Sequence, residues 1–214
     1  MNRHGIPDID LRTELSKRGL ECHLLIKEAG HSNKAFSTLL CDELKPLISQ
    51  AYNRDDLTPQ HLRYETWAVT LRQTDEPHKI VGCSTLCFYS DSPSHFQTSF
   101  EAIDPNLQRS GLGRLLYDCI VVWTRFLLLN DPIVTEGVFQ SQGDYWLVSF
   151  IDAPNPGAQE FNPTLDDNEH GHGAFLKRLG FIRAQHDFGQ DDRTEIAFQR
   201  DFHVPVEAAL SESP

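Results

Sequence analysis

The chain has 214 residues, is 39% hydrophobic and 10% aromatic, and carries a formal charge of −12, so it holds apolar material for one well-filled core. That charge argues against nonspecific binding to nucleic acid or anionic lipid, both of which rely on clustered Lys and Arg. The longest apolar stretch, Cys119 to Leu129, is interrupted by Thr124 and Arg125 and falls short of the roughly 20 residues needed to span a bilayer. With no apolar signal segment in Met1 to Asp8, a cytoplasmic protein without membrane contact is expected. The five cysteines, none in a Cys-x-x-Cys pair, are expected to be reduced core thiols.

In chain order, residues 8 to 18 suit a short helix stopped by Gly19, within an N-terminal extension over residues 1–19. Glu21 to Lys27 suits a first strand. Ser32 or Asn33 then caps a helix carrying Phe36, Leu39, Leu40, Leu44, Leu47 and Ile48, with a break or kink expected at Pro46. Glu65 to Leu71, Lys79 to Tyr89 and His95 to Ile103 read as a three-strand meander joined by turns at 74–78 and 90–94.

Asp104 to Gly113 reads as a loop, and Leu112 to Leu129 as a helix with apolar positions at Leu112, Leu115, Leu116, Cys119, Val122, Trp123 and Phe126. Asn130 to Gly143 is expected to be a connector, Tyr145 to Ile151 a strand, and Asp152 to Pro163 a long loop. A helix from Asn168 or Gly173 to Leu179, ended by Gly180, precedes strand pieces near 181–184 and 194–200. The main domain is expected over 20–203, with a disordered tail over 204–214.

The segment from Ile103 to Arg114 lies where a strand ends and a helix begins. The first turn of a helix offers backbone N–H groups and a positive dipole end, and Gly111 and Gly113 let that backbone approach a ligand closely. A pyrophosphate suits such a turn. A P-loop would need Gly-x-x-x-x-Gly-Lys-Ser/Thr, and a dinucleotide fingerprint a third glycine or alanine where Leu116 stands, so both fit worse.

Gln108-Arg109-Ser110-Gly111-Leu112-Gly113 resembles the Gln/Arg-x-x-Gly-x-Gly/Ala acetyl-CoA motif of the GNAT superfamily of acyl-CoA N-acyltransferases, and Ile103-Asp104-Pro105 resembles the Val-Asp-Pro that ends their fourth strand. Downstream, Phe175-Leu176-Lys177-Arg178-Leu179-Gly180-Phe181 is similar to that family's Phe-Tyr-Glu-Lys-Leu-Gly-Phe helix end. Over roughly residues 20 to 202 the resemblance implies an α/β fold of α+β type: the GNAT fold, a mixed, mostly antiparallel central sheet flanked by helices.

The resemblance also implies acetyl-CoA or another acyl-CoA as co-substrate, with its pyrophosphate on Gln108, Arg109, Ser110, Gly111, Leu112, Gly113 and Arg114. Its pantetheine would run beside Ala102 and Ile103, with Asn168 near it. The acceptor is then a small-molecule amine or a peptide or protein amine, attacking the acyl carbon directly. No nucleic acid, membrane or metal is expected, and a monomer or homodimer is.

The chain departs from the family at the positions that usually hold glutamate, which are here Ser99 and Gln97. Glu101, placed on their face by the two-residue strand period, is the expected general base, with His95 behind it. Leu176 stands where relatives carry the tyrosine thought to protonate the leaving thiolate, which leaves Tyr145, Tyr117 or water for that role. Acceptor selectivity is expected to reside in residues 152–167. Two other readings remain: an acyl-CoA sensor or regulatory module that does not turn over, and a metal protein using His170 and His172 beside Asp166, Asp167 and Glu169.

Overall fold

The computed structural model describes residues 1–28, 30–53, 55–90, 93–152, 172–186, 188 and 195–205. They divide into two compact units, Met1–Cys87 with Ser99–Asn130, and Phe88–Thr98 with Asp131–Pro214.

In the first unit a strand, β1 (Asn2–Gly5), and a helix, α1 (Ile9–Lys17), precede β2 (Leu20–Ile26). Helix α2 (Asn33–Tyr52) follows, then β3 (Trp67–Gln73), β4 (Ile80–Tyr89) and β5 (His95–Ile103), and after a 3₁₀ turn at Pro105–Leu107 comes α3 (Leu112–Asn130). The strands lie in the order β1-β2-β3-β4-β5. Pairing is antiparallel from β1 through β4. It stays so into β5, because Val81, Cys83 and Thr85 meet Asp104, Phe100 and Ser99 respectively.

One sheet face holds Leu25, Ala68, Cys83 and Ala102 under the α2 side chains Phe36, Leu40, Leu44, Leu47 and Ile48. The other receives α3, whose buried Trp123 donates from Nε1 to the Cys22 sulfur at 3.4 Å.

Ser32 starts α2 by accepting from the Ala35 amide at 3.2 Å. The helix runs unbroken through Pro46, contrary to the expected break. Pro46 has no N–H for the Asp42 carbonyl, but both residues are on the exposed side, open to solvent, while the apolar face stays packed. The strand at Asn2–Gly5 has no counterpart in the sequence reading, since its four residues are all exposed and show no apolar alternation.

In the second unit, the His95–Thr98 half of β5 is followed in the sheet by β6 (Asp144–Asp152), β8 (Glu195–His203) and β7 (Ile182–Arg183). The β5–β6 pairing is parallel, from His95↔Trp146 to Thr98↔Ser149, and the other two pairings are antiparallel. The fold class is therefore the expected mixed, mostly antiparallel sheet with flanking helices.

The expected connector instead contains a helix, α4 (Pro132–Gln140). Asp131 caps it by accepting from the Ile133 amide at 3.0 Å, and Pro132 supplies the preset first-turn φ. Its Gly137 packs close: a Cβ there would sit 2.8 Å from the Phe88 ring. Helix α5 (His172–Arg178) ends in a Schellman turn, with Gly180 at φ +84°. There the Gly180 amide bonds Lys177 O and the Phe181 amide bonds Leu176 O, at 2.9 and 3.1 Å.

Candidate acyl-donor site

The Asp104 amide donates to Val81 O at 2.9 Å, and its buried carboxylate accepts from the Asn106 amide at 2.9 Å. The exit from β5 is thereby fixed. After the 3₁₀ turn, Leu107 O accepts from the Ser110 hydroxyl at 2.5 Å, and the chain enters left-handed geometry twice, at Arg109 (φ +63°) and Gly111 (φ +87°).

The first α-helical bond of α3 joins the Leu115 amide to Gly111 O at 3.2 Å. The amides of Leu112, Gly113 and Arg114 precede it and have no helical acceptor four residues back, so they can serve an anion. Gln108, Arg109, Ser110, Gly111 and Arg114 are exposed, Gly113 is half-buried and Leu112 anchors the turn in the core.

The sequence reading missed Arg18. From the C-cap of α1 its guanidinium reaches Ser110 O at 3.4 Å, held on its other side by Glu14 at 3.0 Å. Arg109, Arg114 and Arg18 thus offer positive charge beside the turn, within a chain of net negative charge. Only chain pairing brings Arg18 there, 92 residues from Ser110 in sequence.

The expected pantetheine strand differs from a regular one. Phe100 has φ +48°, an unusual conformation for an aromatic residue inside a strand, and the two-residue alternation breaks there. Phe100 and Ala102 pack on the α2 side. Ile103 points the other way, because a Cβ added to Gly82 would lie 2.9 Å from its Cδ1 and 3.2 Å from that of Leu71.

Ser99 interacts with Glu65 and Thr85, and Thr85 lies across from Ala68 of the α2 face, so Ser99 and Phe100 share a side although they are consecutive. Glu101, two residues before Ile103, shares the Ile103 side. The expectation that Glu101 and Ser99 lie on one face is corrected by the bulge. Glu101 is half-buried, and its carbonyl accepts from the Tyr52 hydroxyl.

Glu65, read only as the start of a strand, precedes β3. Its carboxyl interacts with the Thr85 and Ser99 hydroxyls; burial raises its pKa from 4.5 to about 7, and the two hydroxyls offset part of that rise. Nothing local in the sequence identifies this, because its partners come from two later strands.

The remaining candidates are placed as follows. His95 is buried, with Nδ1 2.9 Å from Pro93 O and its ring stacked on Tyr89. Leu176, Tyr145 and Tyr117 are all buried. Tyr145 packs its ring against Phe96 and Phe202. Asn168, His170 and residues 153–167 lie outside the described residues, and the His172 backbone begins α5.

All five cysteines are free and buried. Among the described residues no group of three or more His, Cys, Asp or Glu is placed to hold a metal ion, and no helix is long and apolar enough to cross a membrane.

No family model matches the sequence, and no curated protein matches it. Among solved structures it is similar to the ribosomal-protein-S18-alanine N-acetyltransferase from Escherichia coli, at 15% identity and TM-score 0.43 over 86% of this chain and 94% of that one. It is similar to Arabidopsis thaliana Naa50 in complex with a bisubstrate analogue, at 10% identity and TM-score 0.48 over 85% and 99%. A GNAT-family acetyltransferase from Bacillus cereus ATCC 10987 matches at 12% identity and TM-score 0.44 over 84% and 96%. The chain is similar in fold to acetyltransferases of the GNAT family.

Proposed function

We propose that the chain is a GNAT-superfamily N-acyltransferase that moves an acetyl or other acyl group from acyl-CoA to a primary amine. The observation that carries this reading is the turn from Gln108 to Arg114. Its two left-handed residues precede α3, and Arg18, Arg109 and Arg114 stand beside amides suited to a pyrophosphate. In this reading Ala102 and Ile103 flank the pantetheine and Asn168 adds a contact to it.

The acyl-CoA supplies a thioester carbonyl open to attack. The chain's part is to hold the donor, to polarise that carbonyl through backbone N–H groups and to remove a proton from the amine. A lysine-like amine of pKa near 10.4 is neutral in only about one molecule in a thousand at pH 7, a cost of about 4 kcal/mol, so proton removal matters. Glu101, on the Ile103 side of β5, is the carboxylate of this reading that meets the amine.

The acceptor is a small-molecule amine or a peptide amine, and the net charge of −12 favours a cationic one. The reading includes a catalytic domain over 20–203, a cytoplasmic location and no metal. One observation favours a second reading, an acyl-CoA sensor that does not turn over: Leu176, buried in the core, replaces the tyrosine expected to protonate the thiolate. Thiol release from acetyl-CoA across a panel of small amines and N-terminal peptides tests the two. Amine-dependent release supports acyl transfer, and saturable CoA binding with no release supports the sensor.

A further inference from the structure

The carbonyls of Ser99, Phe100 and Glu101 follow one another through the bulge of β5, and each accepts from a side chain of another element. From β4 the Thr85 hydroxyl donates to Ser99 O at 3.0 Å and the Cys83 thiol to Phe100 O at 3.6 Å. From the last residue of α2 the Tyr52 hydroxyl donates to Glu101 O. Burial pushes the Cys83 thiol up to about 12, so it keeps the proton it donates. Three consecutive carbonyls bonded by side chains give this bend a support that strand pairing alone does not supply.

The left-handed φ of +48° at Phe100 lets the peptide units on either side of it point the same way, so the Ser99 and Phe100 carbonyls both meet donors on β4. In a trans peptide the N–H lies opposite the carbonyl, so the N–H groups of Phe100 and Glu101 both point away from those donors. Successive N–H groups arranged about a left-handed residue make a concavity suited to a negatively polarised oxygen. Phe100 itself packs on the α2 core cluster, as does Ala51, the neighbour of Tyr52. The bulge is therefore tied to α2 through both a side chain and a carbonyl.

We propose that Tyr52 is a positioning residue for acyl transfer: by holding the Glu101 carbonyl, its hydroxyl fixes the bulge and with it the aim of the Phe100 and Glu101 amides at the thioester carbonyl. This role rests on the acyl-transfer reading. As the amine nitrogen bonds the acyl carbon, negative charge develops on the carbonyl oxygen, and donors fixed beforehand stabilise it without reorganising. A bulge released at one end loses that aim, and a misplacement of about 1 Å can lower a rate ~10²-fold. Tyr52 is 50% exposed, so removing its hydroxyl alone leaves the α2 core intact.

The test follows the thioester carbonyl itself. Acetyl-CoA labelled with ¹³C at the acetyl carbonyl is bound to the wild type, Tyr52→Phe and Tyr64→Phe, and its isotope-edited infrared stretch is read beside CoA affinity and kcat with an acceptor from the amine panel. In the wild type the stretch should lie below that of free acetyl-CoA, because hydrogen bonds to the oxygen weaken the C=O bond. Tyr52→Phe should move it back toward the free value and lower kcat ~10-fold or more, with CoA affinity within about twofold of wild type. Tyr64 is an exposed tyrosine whose ring carries the Arg63 guanidinium, and Tyr64→Phe should match the wild type in every readout.

A stretch unmoved by Tyr52→Phe would overturn the inference whatever happens to turnover, and so would an equal shift in Tyr64→Phe. A loss of CoA affinity large enough to account for the whole loss of activity would overturn it too, by making Tyr52 a donor-binding contact. Each of these leaves acyl transfer standing where the wild type releases thiol. A wild type that binds no acetyl-CoA or releases no thiol with any acceptor would overturn the functional reading and this inference together.

Discussion

Gly111→Ala separates the role of the phosphate turn from its structural cost. Gly111 sits at φ +87°, and an added Cβ would meet only Arg18 Nη1, at 3.6 Å, an ordinary contact. The cost is therefore backbone strain, on the order of 1–2 kcal/mol for an L-residue in left-handed geometry. In a chain of this size that lowers Tm by roughly 2–8 °C.

If the strain relaxes by swinging the peptide, the amides of Leu112 and Gly113 lose their aim, and CoA affinity should fall about tenfold, or about 1.4 kcal/mol. Gly30→Ala is the matched control, since Gly30 also has φ +87° and nothing lies within 4 Å of its Cβ position. It should show a similar drop in Tm by differential scanning calorimetry and wild-type CoA affinity by isothermal titration. Equal CoA affinity in the two variants would refute the assignment of the turn.

Glu101→Gln should lower turnover ~10²-fold with CoA affinity within about twofold of wild type, read by thiol release and titration. Arg18→Ala should weaken CoA binding several-fold and flatten its dependence on salt, measured at two ionic strengths, because the Arg18 guanidinium lies beside Ser110. Glu65 also predicts a pH-dependent stability. Its folded pKa is raised from 4.5 to about 7, so the native state binds more protons in that window, and stability falls as pH rises through it, by about 3 kcal/mol, then levels off. Denaturant melts should show that slope in the wild type and lose it in Glu65→Gln, which should be the more stable of the two at pH 8.

What the sequence carried was local. Strands β2 to β6 and helices α2 and α3 were legible from apolar period and caps, and the glycine turn was legible because its residues are contiguous. Helix α4 announced itself in Asp131-Pro132, but Gly137 and the short length hid it, and the reason for that glycine is a contact with Phe88, 49 residues back.

The bulge at Phe100 was not legible, since no glycine marks it, and without it the period-two rule puts Glu101 and Ser99 on one face. Arg18 and Glu65 escaped for a related reason. Each acquires its role from partners far along the chain, Arg18 from Ser110 and Glu65 from Thr85 and Ser99.

The central claim, that the turn opening α3 holds the pyrophosphate of CoA, is tested most directly by titrating the ¹⁵N-labelled protein with CoA and following backbone amides. Saturable shifts concentrated at Arg109 to Arg114, with the amides of Leu112 and Gly113 moving downfield as they gain an anionic acceptor, are the predicted result. Saturable binding that leaves those amides unmoved, or no binding at all, would contradict it.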